Sequence, residues 1–127
     1  MTLYFDNTGN MEIKHATESL AALGHETRLA IFRLLVQAGP GGVNAGLICE
    51  KLGLAPATLS FHLAHLSRVG LIRGRQEGRF IFYIADYAAM NELLAYLTDN
   101  CCQGAQCLPK SGAAAAPPKP PRTASAR

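Results

Sequence analysis

The chain has 127 residues, enough for one domain, with 49% of them hydrophobic and only 7% aromatic. Its net charge of +3 and pI of about 8.8 permit contact with nucleic acid without requiring it, so the placement of charge matters more than its total. No apolar run reaches the roughly 18 residues of a membrane span, and the start lacks the basic-then-apolar layout of a secretory leader, so a cytoplasmic protein is expected.

Residues 1–10 read as a flexible start. From Met11 the pattern changes: Ile13, Ala16, Leu20 and Leu23 recur as one stripe of an amphipathic helix, which Gly24 stops. A second helix is predicted from His25 to Gln37, with Leu29, Phe32, Leu35 and Val36 inward and Glu26 placed early, favourably for the helix dipole. The segment GPGG at 39–42 breaks the chain. Asn44 then suits the N-cap of a short third helix closing at Gly53. Pro56 opens a fourth, ending near Val69 and Gly70. Two helices joined by so short a turn form a helix-turn-helix.

The run LIRGRQ, the pair Glu77-Gly78 and the run RFIFYI read as a β-hairpin. Asp86 caps a last helix with Tyr87, Met90, Leu94 and Leu97 on one face, ended by Asn100. The Ala- and Pro-rich stretch 108–127 has little to bury and is expected to be disordered. The fold class that follows is mainly α with a two-stranded wing, a winged helix-turn-helix, its domain spanning 11–107.

Helical geometry separates two faces of the fourth helix. Leu59, Leu63 and Leu66 fall within about 60° of one another and make the core stripe. Thr58, Ser60, Phe61, His65 and Arg68 lie away from it, and His62 sits on the flank. Small and hydroxyl side chains let a helix approach base edges, a cation holds a phosphate, and Phe61 suits a thymine methyl. Arg73, Arg75 and Arg79 on the hairpin would reach phosphates or the adjacent minor groove. With Arg68 they face a single acid, Glu77, and make the one clear basic cluster. Double-stranded DNA is the partner this arrangement suggests. His62 and His65 share a helical face, but no carboxylate joins them to make a metal site.

Cysteines stand at 49, 101, 102 and 107. In a reducing compartment disulfide staples are rare, and three thiols within seven residues suit a soft ion. As(III) or Sb(III) takes three sulfurs in a trigonal pyramid, whereas Zn(II) usually takes four ligands. A redox switch closing Cys107 onto Cys101 or Cys102 competes with this reading, as does a trio with no role. Cys49, between apolar neighbours on a short helix, reads as core. No nucleophile elbow, phosphate loop or carboxylate pair appears, so an enzyme is not expected.

The segments ALGHETRLAIFRLL, LSFHLAHLSRVGLI and GRFIFYI resemble the arsenic-type repressor family, the ArsR/SmtB group, over roughly residues 15–98. The resemblance implies a dimeric winged helix, its first and last helices forming the dimer interface, that leaves operator DNA when an inducing metal or metalloid binds. The family's Cys-x-Cys-x-x-Cys site at the third helix is matched only by Cys49, with Asn44 and Gly46 at the other two places. Its Asp, His and Glu site on the last helix finds no histidine between Asp86 and Asp99. Cys101, Cys102 and Cys107 remain as the metalloid ligands, with As(III) as inducer and no permanent cofactor; thiol redox sensing or Zn(II)/Cd(II) sensing is the alternative.

Overall fold

The computed structural model describes residues 11–99, in five helices and a small sheet. Helices α1 (Ile13–Leu23) and α2 (Glu26–Ala38) meet at a tight corner where the Gly24 N–H donates to the Ala21 carbonyl. His25 caps α2, its ring nitrogen accepting from the Thr27 N–H. Strand β1 (Val43–Asn44) leads into α3 (Ala45–Leu52), and Asn44 Oδ1 accepts from the Leu47 N–H at 2.9 Å. Gly53, left-handed at φ +67, ends α3, and its freedom from a Cβ permits the sharp turn into α4 (Pro56–Arg68).

Strands β2 (Ile72–Glu77) and β3 (Phe80–Ala85) form the wing, and α5 (Tyr87–Leu97) closes the fold. The pairing of Glu77 with Phe80 leaves Gly78 and Arg79 as the two turn residues, one place beyond the expected Glu77-Gly78. Asp86 caps α5 as expected, its Oδ1 accepting from the Ala89 N–H.

Strand β1 was not foreseen. It pairs antiparallel with β3, Val43 opposite Tyr83 and Asn44 opposite Phe82, giving the sheet order β1-β3-β2. Two residues are too few to show alternation. Gly42 makes the approach possible: its φ is +82, and a Cβ there would lie 3.0 Å from both the Tyr83 carbonyl and Ile84 Cγ1.

The core gathers Ile31, Phe32, Leu35, Ile48, Leu59, Leu63, Leu66 and Leu71. It corrects several expected faces. On α1 the buried residues are Ala16, Ser19 and Ala22, while Ile13 and Leu20 are 69% and 41% exposed. Small side chains let α1 lie close to its neighbours; Leu23 packs against the core as expected, while Ile13 and Leu20 point away. On α2, Phe32 and Leu35 are buried as expected, joined by Arg28 and Ile31, while Leu29 is exposed. On α5, Tyr87 and Met90 pack on the core as expected, but the buried residue is Leu93, with Leu94 and Leu97 outside. Helices α1 and α5 thus each carry apolar residues that a single copy leaves in water, as expected of surfaces that pair in a dimer.

Among the described residues no helix is long and apolar enough to cross a membrane. Cys101, Cys102 and Cys107 lie outside the described residues, as do the 1–10 start and the 108–127 tail.

Candidate nucleic-acid interface

Helix α4 is held by its apolar stripe. Leu59, Leu63 and Leu66 are buried, which turns Thr58, Ser60, Phe61, Ala64 and Arg68 outward and leaves His65 half-buried. Phe61 is 67% exposed, an unusual position for an aromatic side chain unless something apolar meets it. His65 is pushed below the usual histidine range, first by partial burial and then by Arg28, Arg68 and His25, so it is neutral near pH 7. Near neutrality it can offer a hydrogen bond to a base edge or phosphate without a fixed charge.

His62 goes elsewhere. It is only 6% exposed, and its Nδ1 lies 3.3 Å from an Arg28 guanidinium nitrogen. Its ring packs 4.8 Å from that of His25 and edge-on to Phe61. One of its ring nitrogens is thus engaged inside the fold, and His62 leaves the DNA-facing set. The reason is angular: its place on the flank of the apolar stripe brings it against the α1–α2 corner, where Arg28 offers a donor.

The wing arginines divide by their partners. Arg73, Arg75 and Glu77 alternate onto one face of β2. Arg75 is tied down three ways: its Nε donates to Glu77 at 2.7 Å, an Nη donates to the Gly41 carbonyl at 3.0 Å, and its guanidinium carbon sits 5.7 Å from the centre of the Phe82 ring. Arg73 is looser, 3.7 Å from Asp86 and largely exposed. Arg79, in the turn, is exposed, and among the described residues no carboxylate pairs with it. Arg79, Arg68 and Arg73 are therefore the cations least committed within the fold, and Arg75 is in large part a brace between the wing and the α2–β1 loop. Sequence reasoning missed that second role because Gly41 lies 34 residues from Arg75.

No group of three or more His, Cys, Asp or Glu side chains placed to hold a metal occurs among the described residues. Cys49 is half-buried and packs against the core.

A recognition-type helix presented by a helix-turn-helix, flanked by an arginine-bearing hairpin, defines a winged-helix DNA-binding regulator. Comparison with known proteins agrees. A helix-turn-helix domain family matches residues 23–75. The HTH-type transcriptional regulator YgaV of Escherichia coli is 32% identical over 89 residues, covering 70% of this chain and 88% of YgaV. The structure of HlyU from Vibrio cholerae, a protein known also in a structure of its reduced form, superposes with a TM-score of 0.56 at 35% identity, covering 73% of this chain and 100% of HlyU. The homodimeric winged helix-turn-helix domain Mb0332 of Mycobacterium bovis, described as a possible ArsR-family regulator, matches with a TM-score of 0.55 at 25% identity over 76% of this chain and 89% of its own. The chain belongs to the ArsR family of winged-helix transcriptional regulators.

Proposed function

We propose that the protein is a homodimeric repressor that holds operator DNA until trivalent arsenic, or antimony, binds the thiolates of Cys101, Cys102 and Cys107. The DNA half of this reading rests on one observation: the residues that α4 leaves outside its core stripe are small, hydroxylic or cationic at most positions, with Phe61 the apolar exception, and the exposed arginines of the wing follow after them. Thr58, Ser60, Phe61 and His65 would meet base edges, and Arg68, Arg73 and Arg79 the phosphates, with Arg75 contributing while it braces the wing. Two such heads in a dimer would read half-sites one helical turn apart, about 34–36 Å.

The inducer half rests on the donor set. Three thiolates close in sequence, with no histidine beside them, match the three-sulfur preference of a soft trivalent ion better than the tetrahedral demand of zinc. In the chain they begin four residues after Leu97, the last residue of α5. A coupling of about 1–3 kcal/mol would lower operator affinity about 5- to 150-fold.

A thiol oxidation switch is the second reading, favoured by the similarity to HlyU, for which a structure of the reduced protein is known. Fluorescence anisotropy on a duplex from the gene's own upstream region separates the two. Release by arsenite but not by peroxide, with X-ray absorption showing three As–S bonds that fail in each Cys→Ser variant, supports the metalloid reading. Unchanged As–S coordination in all three variants refutes the site.

A further inference from the structure

Arg28 is a cation in the first turn of α2, where the helix dipole disfavours it. It is nevertheless buried, 9% exposed, and the two partners it reaches are both neutral. Its Nε donates to the Ala22 carbonyl at 2.8 Å, in the last turn of α1, where carbonyls lack helical partners. Its Nη1 reaches His62 Nδ1 on α4 at 3.3 Å. One side chain thus joins three helices: the one that carries it, the exposed-faced α1, and the helix proposed to read DNA.

Guanidinium only donates. The His62 Nδ1 must therefore accept, which places the proton of the neutral ring on Nε2. A protonated His62 has no lone pair to offer and would set a second cation against Arg28. The charged and titratable groups facing this ring are His25 at the start of α2, Arg28 on α2 and His65 on α4, and all of them add positive charge or none.

We infer that Arg28 and neutral His62 form a positioning pair that fixes the pitch of α4 against the α1–α2 corner, and that operator discrimination fails when His62 is protonated. The inference rests on the DNA-binding reading but concerns residues that would not touch DNA. Burial, followed by the influence of His25, Arg28 and His65, pushes His62 below its usual value, which keeps the pair intact at neutral pH. The device has a sign opposite to simple electrostatics. Acidification adds positive charge near the phosphates, through His65 among others, and would by itself tighten DNA binding.

The test compares full-length wild type with His62→Asn and His62→Leu. Asparagine keeps an acceptor near the Nδ1 position and does not titrate; leucine removes it and leaves Arg28 without its α4 partner. The probes are a duplex selected by the wild-type protein from a random pool and a scrambled duplex of equal length. At pH 7.5, His62→Leu should lose about tenfold in affinity for the selected duplex, with the scrambled duplex bound as before and His62→Asn close to wild type. Between pH 7.5 and 5, wild type should lose its preference for the selected duplex while His62→Asn keeps it. A His62→Leu protein that discriminates as wild type does, or a His62→Asn protein with the wild-type pH profile, overturns the inference. Imidazole nitrogen NMR without DNA gives an independent reading, with the proton expected on Nε2. The opposite tautomer would overturn the pair even if no duplex is bound, whereas failure of wild type to select any duplex sinks the DNA reading alone.

Discussion

Arg79→Gln tests the interface at its most exposed point. Arg79 sits in the two-residue turn of the wing, and among the described residues no acid competes for it. If each copy neutralises one phosphate, the dimer loses two contacts, and the slope of log affinity against log salt should flatten by about 1.8. Across a fourfold rise in salt, from about 50 to 200 mM, wild type should therefore lose about twelvefold more affinity than the variant. Thermal stability should not move, since the side chain braces nothing. Arg75→Gln should behave differently. It removes the bond to the Gly41 carbonyl, about 1 kcal/mol, while its exposed ion pair with Glu77 adds little. That variant should melt lower and change the salt slope less, because its charge is already partly answered by Glu77. Anisotropy titrations at four salt concentrations, paired with melting curves, read both quantities. An unchanged salt slope in Arg79→Gln, or equal slopes lost by the two variants, would show that the wing does not meet phosphate as argued.

Three further outcomes follow from the fold. Asn44→Ala removes the cap of α3 and should cost about 1 kcal/mol in urea denaturation, whereas Asn44→Asp should retain most of the stability. Leu20→Glu combined with Leu97→Glu places charge on the apolar faces of α1 and α5; the dimer should dissociate to monomer in sedimentation equilibrium while circular dichroism stays unchanged. The unfolded chain protonates its histidines at the usual 6.5, while folded His62 and His65 are both depressed. The unfolded state therefore takes up protons first as pH falls, and stability should be fullest above that value and decline below it. A urea midpoint that rises between pH 7 and 5 would contradict the assigned environments.

The helix-turn-helix was legible because its signals are local: Asn44 before an apolar helix, Gly53 where only a left-handed residue fits, Pro56 at a first turn. The core stripe of α4 was equally plain, since three leucines at helical spacing admit one inward face. The inward faces of α1 and α2 were legible only in part. Ile13, Leu20 and Leu29 look like core by composition, yet the chain buries Ser19, Ala22, Arg28 and Ile31 beside the expected Ala16, Phe32 and Leu35. Periodicity finds an apolar stripe but does not say whether it packs within the chain or against a second copy. The internal partners of His62 and Arg75 were hidden for a related reason, as each lies 34 residues away, one on α2 and one in the α2–β1 loop. No pattern along the sequence reports such a distance.

Strand β1 is only two residues long, yet Asn44 belongs to both the sheet and the cap of α3. Hairpin and α3 are consequently riveted at one residue, with Arg75 as a second rivet from the wing to the loop just before it. Wing and α3 therefore move as one piece, and a signal that shifts either is passed to the other. A substitution that unseats β1, such as a side chain at Gly42, would thus be felt at the start of α3 and in the wing together.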